Sequence, residues 1–235
     1  MTLNLLLNKV KETGMKKHLA FTLTELLMAL TIVGVLAVLT VPILMNNFQN
    51  RLFATQIKNF SAEIEQFAQD QLITHKTRDL MDTDFGEPSK LLTDGHFSIV
   101  KICTKDNSLK DCWKTEATGK DKVTYKTLNG GKNLTWANCA PTIVLKNGVM
   151  FCLGISSKNS RIIVDVNGND KPNIAGRDLF AFYLNSKGYL VDYSYVKNLD
   201  ADKDTKIKIC KTGTANSTIH WCYGALVDNG WKMDY

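Results

Sequence analysis

Residues 26–45 form a run of 20 positions without a charged side chain, whereas most of the remaining chain mixes apolar and polar residues as a water-facing domain does. At about 1.5 Å per residue such a run covers about 30 Å, the thickness of a bilayer's hydrocarbon core, and so predicts one spanning helix. Lys9, Lys11, Lys16 and Lys17 precede it against a single Glu12. The positive-inside bias therefore puts the N-terminus in the cytoplasm and the C-terminus outside. A secretory signal would have a shorter apolar core and a small-residue cut after it, and neither is evident here. Pro42, inside the run, lacks an amide donor and crowds the preceding turn, which predicts a kink or local melting.

Beyond the run, Phe53, Ile57, Phe60, Ile64 and Phe67 recur at steps of four and three, one apolar stripe on a continuing helix. Gln49, Asn50, Arg51, Gln56, Lys58, Glu63 and Glu65 occupy its other faces. The stripe is long enough to pack on a sheet but spans barely two heptads of a coiled coil. From about residue 76 the pattern changes to turns and strands, with loop signals at residues 87–89 and 93–95. Residues 142–151 predict a hairpin about Asn147-Gly148; a two-residue turn there sets Cys152 opposite Ile143. A Cys139–Cys152 bridge would then require the chain to bend back near Pro141. Residues 161–166, 179–184 and 189–193 read as further strands, with a turn at residues 186–188. Residues 223–231 read as a short helix stopped by Gly230. The fold class is α+β: a long N-terminal helix on a C-terminal antiparallel sheet.

Charge and cysteine usage narrow the setting. The net charge is +6, and removing residues 1–20, with four lysines and one glutamate, leaves 25 basic and 22 acidic side chains, or +3. That balance is too mild to imply nucleic acid. Cys103, Cys112, Cys139, Cys152, Cys210 and Cys222 all follow the apolar run, as expected of disulfides in an oxidising compartment. Buried thiols or a metal site are the other readings, although no CxxC spacing occurs and His18, His75, His96 and His220 are scattered. Pairing Cys103–Cys112, Cys139–Cys152 and Cys210–Cys222 closes the shortest loops and is the least demanding of fifteen connectivities.

Glu25 is not explained by a plain anchor, because a carboxylate at the lip of an apolar helix needs a partner. The surrounding residues read Lys16-Lys17-His18-Leu19-Ala20-Phe21-Thr22-Leu23-Thr24-Glu25-Leu26-Leu27. A short basic leader, a small residue, Phe, Thr-Leu, one variable residue and Glu before an apolar helix resembles the type IV pilin and type II secretion pseudopilin family over about 30 residues. The resemblance implies cleavage between Ala20 and Phe21 by a prepilin peptidase and N-methylation of Phe21. The family usually has Gly at the position of Ala20. It also has glycine and proline where this chain has Gly34 and Pro42, and the segment between them can unwind in filaments. A start at Met15 would give a six-residue leader. The implied organisation is a leader at 1–20, an assembly helix at 21–45, an amphipathic continuation at 46–75 and an exported domain at 76–235.

Buried in an apolar bundle, the new Phe21 amine and the Glu25 carboxylate would each be costly alone, and a close pair recovers much of that cost. Glu25 of one subunit facing Phe21 of the next would set axial register, making Glu25, Gly34 and Pro42 the assembly residues. The expected partners are other pilin-like subunits, the peptidase, the assembly machinery and membrane lipid. The expected location is the bacterial inner membrane, then a periplasmic or extracellular filament. A filament-tip adhesin or DNA receptor on the same anchor is the alternative.

Two segments could add chemistry. Asp165, Asn167 and Asn169 place oxygen side chains at alternate positions around a glycine, with Asp178 further on, as a Ca²⁺ loop requires. The terminal glutamate of an EF-hand is missing, and Asx and Gly residues also simply make turns. The loop is similar to those between C-terminal strands of pilin-like proteins, some of which bind Ca²⁺. Lys203, Lys206, Lys208 and Lys211 read as lysines guarding an edge strand, since a nucleic-acid surface would interleave aromatics. No nucleophile, phosphate-loop or metalloprotease motif is present, so the chain does not read as an enzyme.

Overall fold

A computed structural model describes residues 22–86, 90, 95–131, 133–134, 139–213 and 218–235. The loop signals at 87–89 and 93–94 lie outside them. Contacts divide the chain into residues 1–46 and 47–235.

In the first unit, residues 23–46 belong to helix α1 (Leu23–Thr74) and are exposed on every side. This helix is long and apolar enough to cross a membrane. It remains helical through Pro42 and from Gly34 onward, so the expected melting is not a feature of this subunit. The missing Pro42 amide removes a single bond of the ladder, and the helix resumes beyond it.

In the second unit, α1 becomes one-faced: Phe53, Ile57, Phe60, Ile64, Phe67 and Leu72 are buried. Their target is a six-stranded antiparallel sheet, ordered β1 (Ile99–Cys103), β4 (Thr142–Leu145), β5 (Met150–Gly154), β6 (Asn159–Asp165), β7 (Leu179–Asn185) and β8 (Leu190–Val191). A separate pair comprises β2 (Tyr125–Lys126) and β3 (Asn133–Leu134). Phe151 of β5 pairs with Val164, which pairs with Phe180. The ring of Phe60 lies 5.0 Å from that of Phe151 and 6.4 Å from that of Phe182, so this face meets α1. Alternate residues point the other way. There Thr142, opposite Cys152, accepts from the indole Nε1 of the fully buried Trp113. The sheet is thus covered on both faces, which is why β5, β6 and β7 are apolar almost throughout.

The hairpin register differs from the expected one. Cys152 stands opposite Thr142, and Ile143 opposite Phe151. Leu145 receives the Gly148 amide and gives its own amide to Val149, so the loop holds three residues instead of two. Gly148, at φ +89°, supplies the left-handed position that such a loop needs.

Two helices replace expected strands. The strand expected at 189–193 shrinks to β8, because Asp192 accepts from the Tyr195 amide and starts helix α2 (Tyr193–Lys197). The lysine-rich segment is helix α3 (Lys203–Thr212), capped by Asp202 on the Thr205 amide, and not an edge strand. The last helix, α4 (Thr218–Asp228), begins before the expected segment and ends ahead of Gly230.

Candidate assembly and cation sites

Helix α1 starts with a reciprocal cap. The Thr22 hydroxyl accepts from the Glu25 amide at 3.2 Å, and Glu25 Oε2 accepts from the Thr22 amide at 2.9 Å and its hydroxyl at 2.8 Å. A Thr-x-x-Glu box satisfies amides that the first helical turn leaves open. Glu25 therefore has a local partner, which consideration of membrane placement alone does not supply. Ala20 and Phe21 lie outside the described residues. Gly34 has open space around it.

The six cysteines pair in sequence order. Cys103–Cys112, Cys139–Cys152 and Cys210–Cys222 have Cα separations of 6.2, 5.5 and 4.8 Å. Among the lysines of α3, Lys206 is buried, its Nζ 2.6 Å from Asp192 and 2.8 Å from Asp228. It ties α3 to α4 and to the cap of α2, a structural role that leaves no basic face centred on it.

The loop between β6 and β7 is built differently from a solvated turn. Asp165 and Asp178 are completely buried, and Asn173 is 5% exposed. Asp178 accepts from the amides of Asn173 and Ile174, each at 2.6 Å, and so folds the loop around itself. Asp165 Oδ1 accepts from the Asn167 amide. The Asn167 side-chain amide donates at 3.0 Å to the carbonyls of Asp170 and Lys171. The Asn169 side-chain amide donates at 2.7 Å to the Cys112 carbonyl, and that of Asn173 reaches the Asn169 carbonyl at 3.5 Å. With the nitrogens committed to carbonyls, the orientation of each amide is set and its oxygen faces the other way. Three side-chain oxygens of the loop are buried without a hydrogen-bond partner, the Oδ1 atoms of Asn167, Asn169 and Asn173, while the Asp165 carboxyl is met by the Tyr125 hydroxyl. Gly168 fits here because a Cβ would sit 2.9 Å from the Gly148 carbonyl of the neighbouring hairpin.

Burial pushes the Asp165 carboxyl well up, and the charge of Asp178 adds to it. Burial raises Asp178 to about 6, against the amide bonds that favour its charge. Burial, then Asp165 itself, likewise raises the Tyr125 hydroxyl. Of the expected metal residues, Asn167 and Asn169 have open oxygens, the Asp165 carboxyl meets the Asn167 amide and the Tyr125 hydroxyl, and both Asp178 oxygens hold the loop. Asn173 and Tyr125 are not singled out by the sequence pattern, although Asn173 continues the alternation 165, 167, 169 after one skipped position, Lys171. Among the described residues no three His, Cys, Asp or Glu side chains gather as a metal centre. The unpartnered oxygens of this loop belong to amides, a donor type suited to hard cations and not to zinc.

Comparison with known proteins is confined to the N-terminus. The family described as prokaryotic N-terminal methylation motif, the signature of type IV pilins and pseudopilins, matches residues 15–41. No curated protein and no solved structure matches the chain.

Proposed function

We propose that this chain is a structural subunit (pilin, minor pilin or pseudopilin) of a type IV-like filament, cleaved between Ala20 and Phe21 and methylated at Phe21. The observation that carries this reading is the methylation motif at residues 15–41 set directly on an apolar helix exposed all round. An apolar cylinder of this kind must be covered by lipid before assembly and by neighbouring helices after it. The subunit waits in the inner membrane with its C-terminal domain outside, and Glu25 meets the Phe21 amine of a neighbour as it joins the filament.

The cap at Thr22 makes the role of Glu25 testable by charge. Glutamine can keep the reciprocal cap but cannot neutralise an ammonium group. Glu25→Gln, with cleavage confirmed by intact mass, is expected to lower incorporation into filaments by about tenfold or more, as Glu25→Ala does. Thr22→Val, which weakens the cap and keeps the charge, is expected to assemble. Normal incorporation of Glu25→Gln together with failure of Thr22→Val would reduce Glu25 to a helix cap. An uncut leader in assembled filaments would overturn the family reading altogether. Counting copies per filament by mass spectrometry separates a uniform subunit from a tip module.

A further inference from the structure

We propose that the pocket formed by Arg51, Trp231 and Lys232 binds the headgroup phosphate of an anionic glycerophospholipid, a reading that rests on the membrane-anchored subunit proposed above. The pocket measures about 470 Å³ and lies within the second unit, between α1 and the chain that follows α4. Asn50 and Arg51 stand three and four positions after Asn47, so the three share one face of α1, and Trp231, Lys232 and Asp234 form the other wall. That wall is pinned. The Met233 carbonyl accepts from the Asn50 side-chain amide at 3.4 Å and from Arg177 at 3.1 Å. Asn229 donates to the Lys232 carbonyl at 2.8 Å and to Asp234 Oδ1 at 2.6 Å. Asp234 is therefore already engaged, whereas among the described residues neither Arg51 nor Lys232 enters an ion pair. Trp231 holds φ +62°, a left-handed backbone that a bulky side chain rarely adopts, and its amide donates to the Leu226 carbonyl. Glycine would take that turn without strain, so the turn itself does not account for the indole.

Position and charge select the ligand. Along α1, Asn47 follows Met45, the last residue of the apolar run, by two positions and Arg51 follows it by six, or about 3–9 Å. The headgroup layer of a bilayer is about 5–8 Å deep on each side, and tryptophan, arginine and lysine side chains collect there. A guanidinium presents paired N–H donors that fit two phosphate oxygens, and the Lys232 ammonium adds a second positive charge to the same pocket. Lys58 Nζ lies 5.9 Å from the centre of the Trp231 ring, a third cation, which attracts an anionic headgroup and opposes a quaternary ammonium. Among the described residues that line the pocket, Asp234 is the single acid, and it already holds Asn229. A lipid bound there would keep the domain seated on the membrane until the subunit is drawn into a filament.

The test reconstitutes the full chain in vesicles with equal amounts of phosphatidylcholine and phosphatidylglycerol. The chain is then released into a neutral detergent, and the lipids it retains are counted by native mass spectrometry. One phosphatidylglycerol per chain is expected, preferred over phosphatidylcholine by about tenfold or more, with each basic side chain supplying about fivefold. Arg51→Gln and Lys232→Gln, both on exposed side chains, should each lower that preference about fivefold with an unchanged melting temperature. Lys187→Gln, the same charge change in the exposed turn between β7 and β8, should leave the preference as it is. Inorganic phosphate added as a competitor should displace little of the lipid. Equal displacement by phosphate would make this a site for the free anion and overturn the proposal. Undiminished preference in the Arg51→Gln/Lys232→Gln double variant, or an equal loss in Lys187→Gln, overturns it too. A chain that enters no vesicle overturns the membrane anchor together with the site, whereas one that enters and retains no preferred lipid overturns the site alone.

Discussion

Replacing Phe60 by alanine removes the ring at the centre of the contact between α1 and the sheet. Phe60 is 3% exposed, and its ring packs on those of Phe151 and Phe182 at 5.0 and 6.4 Å. Burying a phenylalanine contributes about 1.5–3 kcal/mol by transfer from water. Aromatic pairing adds about 0.5–1.5 kcal/mol, and the cavity left behind brings the cost of Phe→Ala to about 3–5 kcal/mol. For a domain of this size that lowers Tm by about 6–20 °C. Phe48 lies on the same helix but is 62% exposed, so Phe48→Ala should alter stability by no more than about 0.5 kcal/mol. Thermal unfolding of the full chain in detergent, followed by the fluorescence of its four tryptophans, measures both. A loss below about 1 kcal/mol for Phe60→Ala, or equal losses for the two variants, would mean that the stripe does not hold the sheet.

Two further outcomes are expected. Peptide mapping without reductant should return the three sequence-neighbour bridges alone, and replacing Cys139 and Cys152 together by serine should lower stability by about 3 kcal/mol, read as a shift of the urea midpoint. His220 is held neutral by burial, which pushes its pKa down to about 4, with Arg161 and Lys197 adding to the shift and Tyr183 and Tyr193 packed against the ring. Its folded value lies below the ordinary one, so the unfolded chain takes up the proton first; stability is full above about pH 6.5 and falls toward pH 4. The half-buried ring limits that loss to at most about 3 kcal/mol, and His220→Phe should remove it; an unchanged acid limb in the variant refutes the assignment.

Sequence periodicity was most informative where one period ran long. The spacing of Phe53, Ile57, Phe60, Ile64 and Phe67 leaves little choice but a helix with one buried face. It was least informative where a cap outweighs a short pattern. Ile207 and Ile209, two apart among lysines, look like a strand, but Asp202 caps a helix whose buried positions are Lys206 and Cys210, one turn apart. The hairpin slipped by one residue for a similar reason: Asn-Gly marks a turn without fixing its length, and Gly148 serves a three-residue loop as readily as a two-residue one. At the candidate cation site the alternating oxygens were legible at Asp165, Asn167 and Asn169. The division of labour between Asn173 and Asp178 was not, because it depends on which amides each oxygen meets after the chain has folded.

In the proposed filament the reciprocal cap changes what Glu25 contributes. Before assembly its carboxylate is already satisfied by the amide and hydroxyl of Thr22. Meeting a neighbour's Phe21 amine is then an exchange or a sharing of partners, and exchanges of hydrogen-bonded charges yield far less than their raw attraction. The driving force for polymerisation must come instead from the apolar helix surface, which is exposed from Leu23 to Phe48 and packs indifferently against any similar surface. Packing of that kind does not choose a register. A single buried charge pair does, because a subunit shifted by one turn leaves an ammonium group and a carboxylate unmet at once. On this reasoning Glu25 determines where a subunit stops, and the apolar helix determines that it joins.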